Sequence, residues 1–204
     1  MYTDGVRSLV GDFDFANENH HHTDMETMIG NTVNNCAVVE FDVDVEADAL
    51  AFNYTFGSAE YENFTCSQYN DGFGLFISGP GIEGPYTNNA VNIATIPDSD
   101  IPVAINTVNR GTPSGFYEPM NCLTANPNWQ QDTIYYIDNP GYMMSSVAFT
   151  GYTVSLEAYV EVEYGQTYHM KFAVCNAVDM AFHSGVLLEE GSFEGRLLNK
   201  TENS

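Results

Sequence analysis

The order of hydrophobic and polar positions in this chain follows a period of two. Across residues 37–45, Val39, Phe41, Val43 and Val45 alternate with Glu40, Asp42 and Asp44, as in a strand with one buried and one wet face. After Glu46-Ala47-Asp48 the parity flips, and Leu50, Phe52, Tyr54 and Phe56 form the buried row, which predicts a tight turn and a hairpin. Shorter β-like runs follow at residues 73–78, 91–96, 101–108 and 134–137, separated by Gly, Pro, Asn and Asp.

A second long alternation places Tyr152, Val154, Leu156, Ala158, Val160 and Val162 on one face. After Tyr164-Gly165-Gln166 it resumes at Tyr168, Met170, Phe172 and Val174, which predicts another hairpin. Only Thr23 to Ile29 reads as helical, with Thr23 or Asp24 as the cap. These elements predict an all-β fold, an antiparallel sandwich of jelly-roll type with at most one short helix near the N-terminus. It forms one domain over residues 1–193, and residues 194–204 are a polar tail.

Length and composition agree with this. The 204 residues suit one β domain, and 44% hydrophobic with 13% aromatic residues supply a core. Charge narrows the partners: 5 basic against 28 acidic residues give a formal net charge of −23, which repels nucleic acid and anionic lipid. No apolar run is long enough to span a membrane, and the N-terminus lacks signal-peptide features. The four cysteines, Cys36, Cys66, Cys122 and Cys175, lack zinc-type spacing and predict two disulfides formed in an oxidising compartment. Of three connectivities, Cys66 with Cys122 and Cys36 with Cys175 is preferred, because it ties loop to loop and strand to strand.

Several motifs could carry chemistry. Glu60, Glu62, Asn70 and Asp71, joined by Asp179, offer the hard oxygens that calcium takes; the competing reading is a solvated Asn-Asp-Gly turn. No motif requires a cofactor. Tyr69, Tyr86, Phe116, Tyr117, Trp129 and Tyr142 are loop aromatics that could stack on sugars or dock on protein. Asn53, Asn63 and Asn199 begin glycosylation sequons, which matter only in a eukaryotic source. The acids at Asp42, Asp44, Glu46 and Asp48 lack the glycine of an EF-hand, and the glycines at 79, 81 and 84 lack the helix of a dinucleotide site. His20, His21 and His22 are consecutive and cannot all face one ion. No GxSxG string or free thiol supports acyl transfer, while a chain with many carboxylates leaves a glycan-active enzyme open.

The stretches AVVEFDVDVEADALAFNYTFGSAEYENFTCSQYNDGFGLFISGPGI (residues 37–82) and AVNIATIPDSDIPVAINTVN (residues 90–109) resemble the choice-of-anchor L domain family. The likeness continues through YYIDN at 135–139, GYTVSLEAYVEVEYGQTYHMKFAV at 151–174 and SGVLLEEGSF at 184–193. It implies a secreted bacterial surface protein with no catalytic activity attached to the domain. Two positions depart from the pattern: Ala59 replaces the first acid of the usual Ser-Glu-Glu-Tyr, and His183 stands where an Asp usually precedes Ser-Gly-Val. The resemblance also implies a late start, so that a neighbouring copy or a precursor would supply a strand. The expected function is a non-enzymatic surface module for adhesion or assembly, a filament subunit in its strand-donation form. Its partners are other copies, surface proteins or glycans. A calcium-assisted lectin-like domain and a glycan-active enzyme are the alternatives.

Overall fold

The computed structural model describes residues 6–14, 22–61, 63–140 and 147–198, the first of these by backbone alone. It is an antiparallel sandwich. One sheet has the order β1-β2-β9-β4-β5, with β1 Val6–Asp14, β2 Val33–Val45, β4 Gly72–Ser78, β5 Val91–Asn92 and β9 Thr167–Ala177. The other is built around β3 Ala49–Ser58. Register puts β8 Leu156–Glu161 and β7 Gly151–Thr153 along one side of β3, with β6 Tyr136–Asp138 beyond β7. Along the other side lie β10 Ser184–Leu188 and β11 Glu194–Arg196. The expected polar tail therefore begins with three residues of sheet.

The two alternating rows are real except at the start of the second, where Thr153 is buried in place of Tyr152 and the strand breaks before Leu156, but the hairpins are not. β2 and β3 belong to different sheets, as do β8 and β9. Each pair is an arch that carries the chain over the core. An arch flips the parity of the buried row just as a hairpin does, because both strands face one core from opposite sides. The arches stack: β2 pairs with β9 and β3 with β8. Their turns are stitched by Val45 N–H to Gln166 O (2.9 Å), Gly165 N–H to Val45 O (2.8 Å) and Val162 N–H to Asp48 O (2.8 Å). Gly165 turns the second arch at a φ of 76°, where a side chain would be strained.

The run at 101–108 forms no strand either, only isolated bridges at Pro102 and Ala104. Pro102 has no N–H to give, and the Thr107 hydroxyl accepts from Ala104 N (2.8 Å) and donates to Pro102 O (2.7 Å), so local bonds replace a ladder. The runs at 91–96 and 134–137 keep two strand residues each, Val91–Asn92 and Tyr136 with Ile137.

Helix α1 spans Thr23–Ile29, and its cap is His22, whose Nδ1 accepts from Met25 N at 3.3 Å. Thr23 and Asp24 do not cap. Asp24 is drawn inward by Thr87 (2.8 and 2.7 Å) and by Lys171, and although burial opposes its charge, these partners hold its carboxyl below the usual range. A further helix, α2 Met120–Ala125, carries Cys122.

The main core lies between the sheets, where Phe172 meets Phe41 and Phe52 (both 5.6 Å between centroids) and Phe73 (6.3 Å). A smaller core under α1 joins Met25, Val33, Phe76 and the Cys36–Cys175 bond. The other bond links Cys66 to Cys122. On the outer face, the acid row of β2 meets matching residues of β9: Asp42 with His169 (2.8 Å), Asp44 with Thr167 (2.6 Å) and Glu40 with Lys171 (3.8 Å). Cross-strand partners thus offset part of the charge.

Candidate functional site

Where β3 ends, Ser58 turns the chain inward and its hydroxyl accepts from Glu60 N at 2.9 Å. Glu60 is fully buried, and neither carboxylate oxygen has a hydrogen-bond partner. The nearby hydroxyl of Tyr61, also buried, is likewise unpartnered. Asp71, at the entry to β4, is buried too. Its carboxylate accepts from Ala177 N (2.8 Å) and from Ser184 Oγ (2.7 Å), and Ser184 Oγ lies 2.7 Å from Ser58 Oγ. Asp71 therefore ties β4 to the end of β9 and the start of β10.

Burial pushes the Glu60 carboxyl up to about 8, and the charges of Asp71 and Asp179 add to this. Burial also lifts Asp71 to about 7, against the pull of its bonds from Ser184 and Ala177. Asp179 sits in the β9–β10 loop, where Val178 (φ 72°) and Phe182 (φ 56°) both adopt left-handed backbone that a β-branched or aromatic residue avoids.

Of the acids and amides read as calcium ligands, Glu60, Asp71 and Asp179 share this end of the sandwich. Asn70 does not join them: its Oδ1 accepts from Asn106 N (2.8 Å) and fixes a different loop. The Asp71 carboxylate reaches Ala177 and Ser184 on other strands instead of the backbone of its own Asn-Asp-Gly turn. Glu62 lies outside the described residues, among which no three His, Cys, Asp or Glu side chains are arranged to hold a metal ion. His20 and His21 are also outside the described residues. His22 is occupied as the helix cap, its ring 6.3 Å from Phe76, and burial lowers its basicity.

The aromatic set divides. Trp129 is buried against the Cys66–Cys122 bond and cannot stack on a sugar. Half-buried Tyr69 packs on Phe64 at 5.3 Å, and Tyr86 on Phe76 at 4.8 Å. Tyr117 and Phe116 are exposed, and Tyr142 lies outside the described residues. Asn63 is exposed, Asn53 donates to Glu189 (3.0 Å), and Asn199 is not among the described residues.

A second feature had no forerunner in the sequence reading. A groove of about 460 Å³ opens along the sandwich between β2 and β10, and every residue lining it is apolar, including Val39, Phe41, Phe172, Val186, Leu188 and Phe193. Beside it, β10 pairs with β3 on one side and with no other described strand.

Comparison with protein families matches the choice-of-anchor L domain over residues 3–194. The chain belongs to this family. Comparison with curated proteins and with solved structures finds no match. A choice-of-anchor L domain is a module of surface-anchored bacterial proteins, of a non-catalytic type, and the two disulfides suit an oxidising extracellular setting. In this choice-of-anchor L domain Ala59 and His183, which the resemblance alone marks as departures, are neighbours: Ala59 N–H bonds His183 O at 3.1 Å.

Proposed function

We propose that this choice-of-anchor L domain is a non-enzymatic assembly and adhesion module that accepts an extended strand of a neighbouring copy along the edge of β10 that pairs with no other described strand. The apolar groove beside that edge carries the proposal. An added strand would bond its main chain to β10 and place every second side chain against Val39, Phe41 and Phe193. The sequence of β10, Ser-Gly-Val-Leu-Leu, has none of the Lys or Pro that commonly block an edge, and Leu187 and Leu188 are exposed. The −23 net charge opposes association at low salt, but physiological salt screens it beyond roughly 8 Å, and the groove holds no charged residue. If the donor and acceptor surfaces differ, the contact repeats without closing and builds a filament.

Sedimentation velocity and electron microscopy at physiological salt test this. Wild type should associate as concentration rises, and Leu188→Lys, which places a charge at the groove, should weaken association about tenfold or more. Single domains at every concentration would reject it. The lectin-like reading has less support, because Trp129 is buried and Tyr69 and Tyr86 are packed on other rings.

A further inference from the structure

Glu60 has no partner for either carboxylate oxygen although it is fully buried, and protonation would not resolve this, because the acid would then bury an unmatched O–H. Natural interiors leave few such groups, and each calls for something that completes it. We propose that Glu60, with the Asp71 carboxylate and the Ser58 and Ser184 hydroxyls, binds one divalent cation of the calcium type at the end of the sandwich.

The donor chemistry selects the ion. Two carboxylates match a charge of two, and the group is made of oxygen alone, with all four cysteines held in disulfides. The His183 carbonyl is committed to Ala59 N, and its side chain is exposed. The hydroxyls are already gathered: Ser58 Oγ, Ser184 Oγ and Asp71 form a continuous hydrogen-bonded chain, and Ser58 holds the backbone of Glu60. Carboxylates and hydroxyls in an irregular arrangement suit the adaptable shell of calcium better than the octahedron of magnesium. Asp179 contributes field. The overall acidity of the protein concentrates cations at its surface.

The inference stands apart from strand addition, since ion binding is read on the isolated domain under conditions where no association occurs. The test is calorimetric titration of calcium chloride into chelator-treated full chain, paired with thermal melts. A single saturable site with Kd of about 0.1–1 mM is expected, the range of extracellular modules. The melting temperature should rise by about 5 °C or more at roughly a hundredfold excess over Kd. Glu60→Gln, which is nearly isosteric, should abolish both effects while the calcium-free variant melts close to wild type. Ser184→Ala should weaken binding about tenfold. Magnesium should bind more weakly. A wild-type titration that shows no heat, or only many weak sites that fade with sodium chloride as the general acidic surface would, overturns the proposal whether or not the variants fold. Glu60→Gln that binds calcium like wild type also overturns it.

Discussion

Replacing Cys36 and Cys175 together by alanine should lower the stability of this domain by about 2–5 kcal/mol, read as a fall in the urea midpoint. The bond joins positions 139 residues apart in sequence, so in the unfolded chain it closes a loop that takes in most of the domain. It also joins adjacent central strands: β2 and β9 carry both arches, and the register between them shifts between Asn34 and Ala37, beside Cys36. The bond fastens the ladder where pairing is irregular, under the small core of α1. Removing Cys66–Cys122, which spans 56 residues, should cost about 1 kcal/mol less on loop-closure grounds. Its loss should be felt locally, in α2 and around Trp129. Equal effects from the two double variants would show that loop closure does not dominate.

Phe172→Ala should cost about 3 kcal/mol, the lower end for a buried phenylalanine. Phe172 is the meeting point of the core, in contact with Phe41 of β2, Phe52 of β3 and Phe73 of β4. Truncation therefore loosens both sheets at once. The loss falls at the lower end because Phe172 also lines the groove, so the space left by its ring opens to the surface instead of forming a sealed void. A cost near 1 kcal/mol would mean that Phe41 and Phe193 collapse into the space, and the groove would then narrow in the variant.

Most of the core was legible in the sequence, because burial imposes a period of two on strands that face one core. Leu50, Phe52, Tyr54 and Phe56, and Tyr168, Met170 and Phe172, are the buried rows expected. What joined them was not legible. A parity flip at Glu46-Ala47-Asp48 reports that the chain reverses over a core, and the same flip serves a hairpin within one sheet or an arch between two. Only the partners of each strand distinguish these, and those partners lie more than a hundred residues away for β2 and β9. Residues 101–108 looked like a strand because most of them are apolar, and 103–108 are buried, but Pro102 and Thr107 direct their backbone into local bonds.

The candidate site was half legible for a related reason. Glu60, Asp71 and Asp179 were singled out as acids, whereas Ser58 and Ser184 carry no charge to attract notice and are brought together by the pairing of β3 with β10. The signal available was the place of Glu60 just after a strand whose last three residues are all buried, where an acid is costly. The groove gave a fainter signal, the uncharged Val186-Leu187-Leu188 run, which breaks the alternation seen elsewhere.

Hydrogen–deuterium exchange of β10 measured at low and at high protein concentration tests the strand-addition account most directly. The outward backbone amides of Ser184–Leu188 should exchange quickly in dilute protein and become protected as copies associate, and Leu188→Lys should leave them unprotected. Exchange at β10 that does not change while the protein assembles would contradict the account, since the copies would then be meeting through another surface.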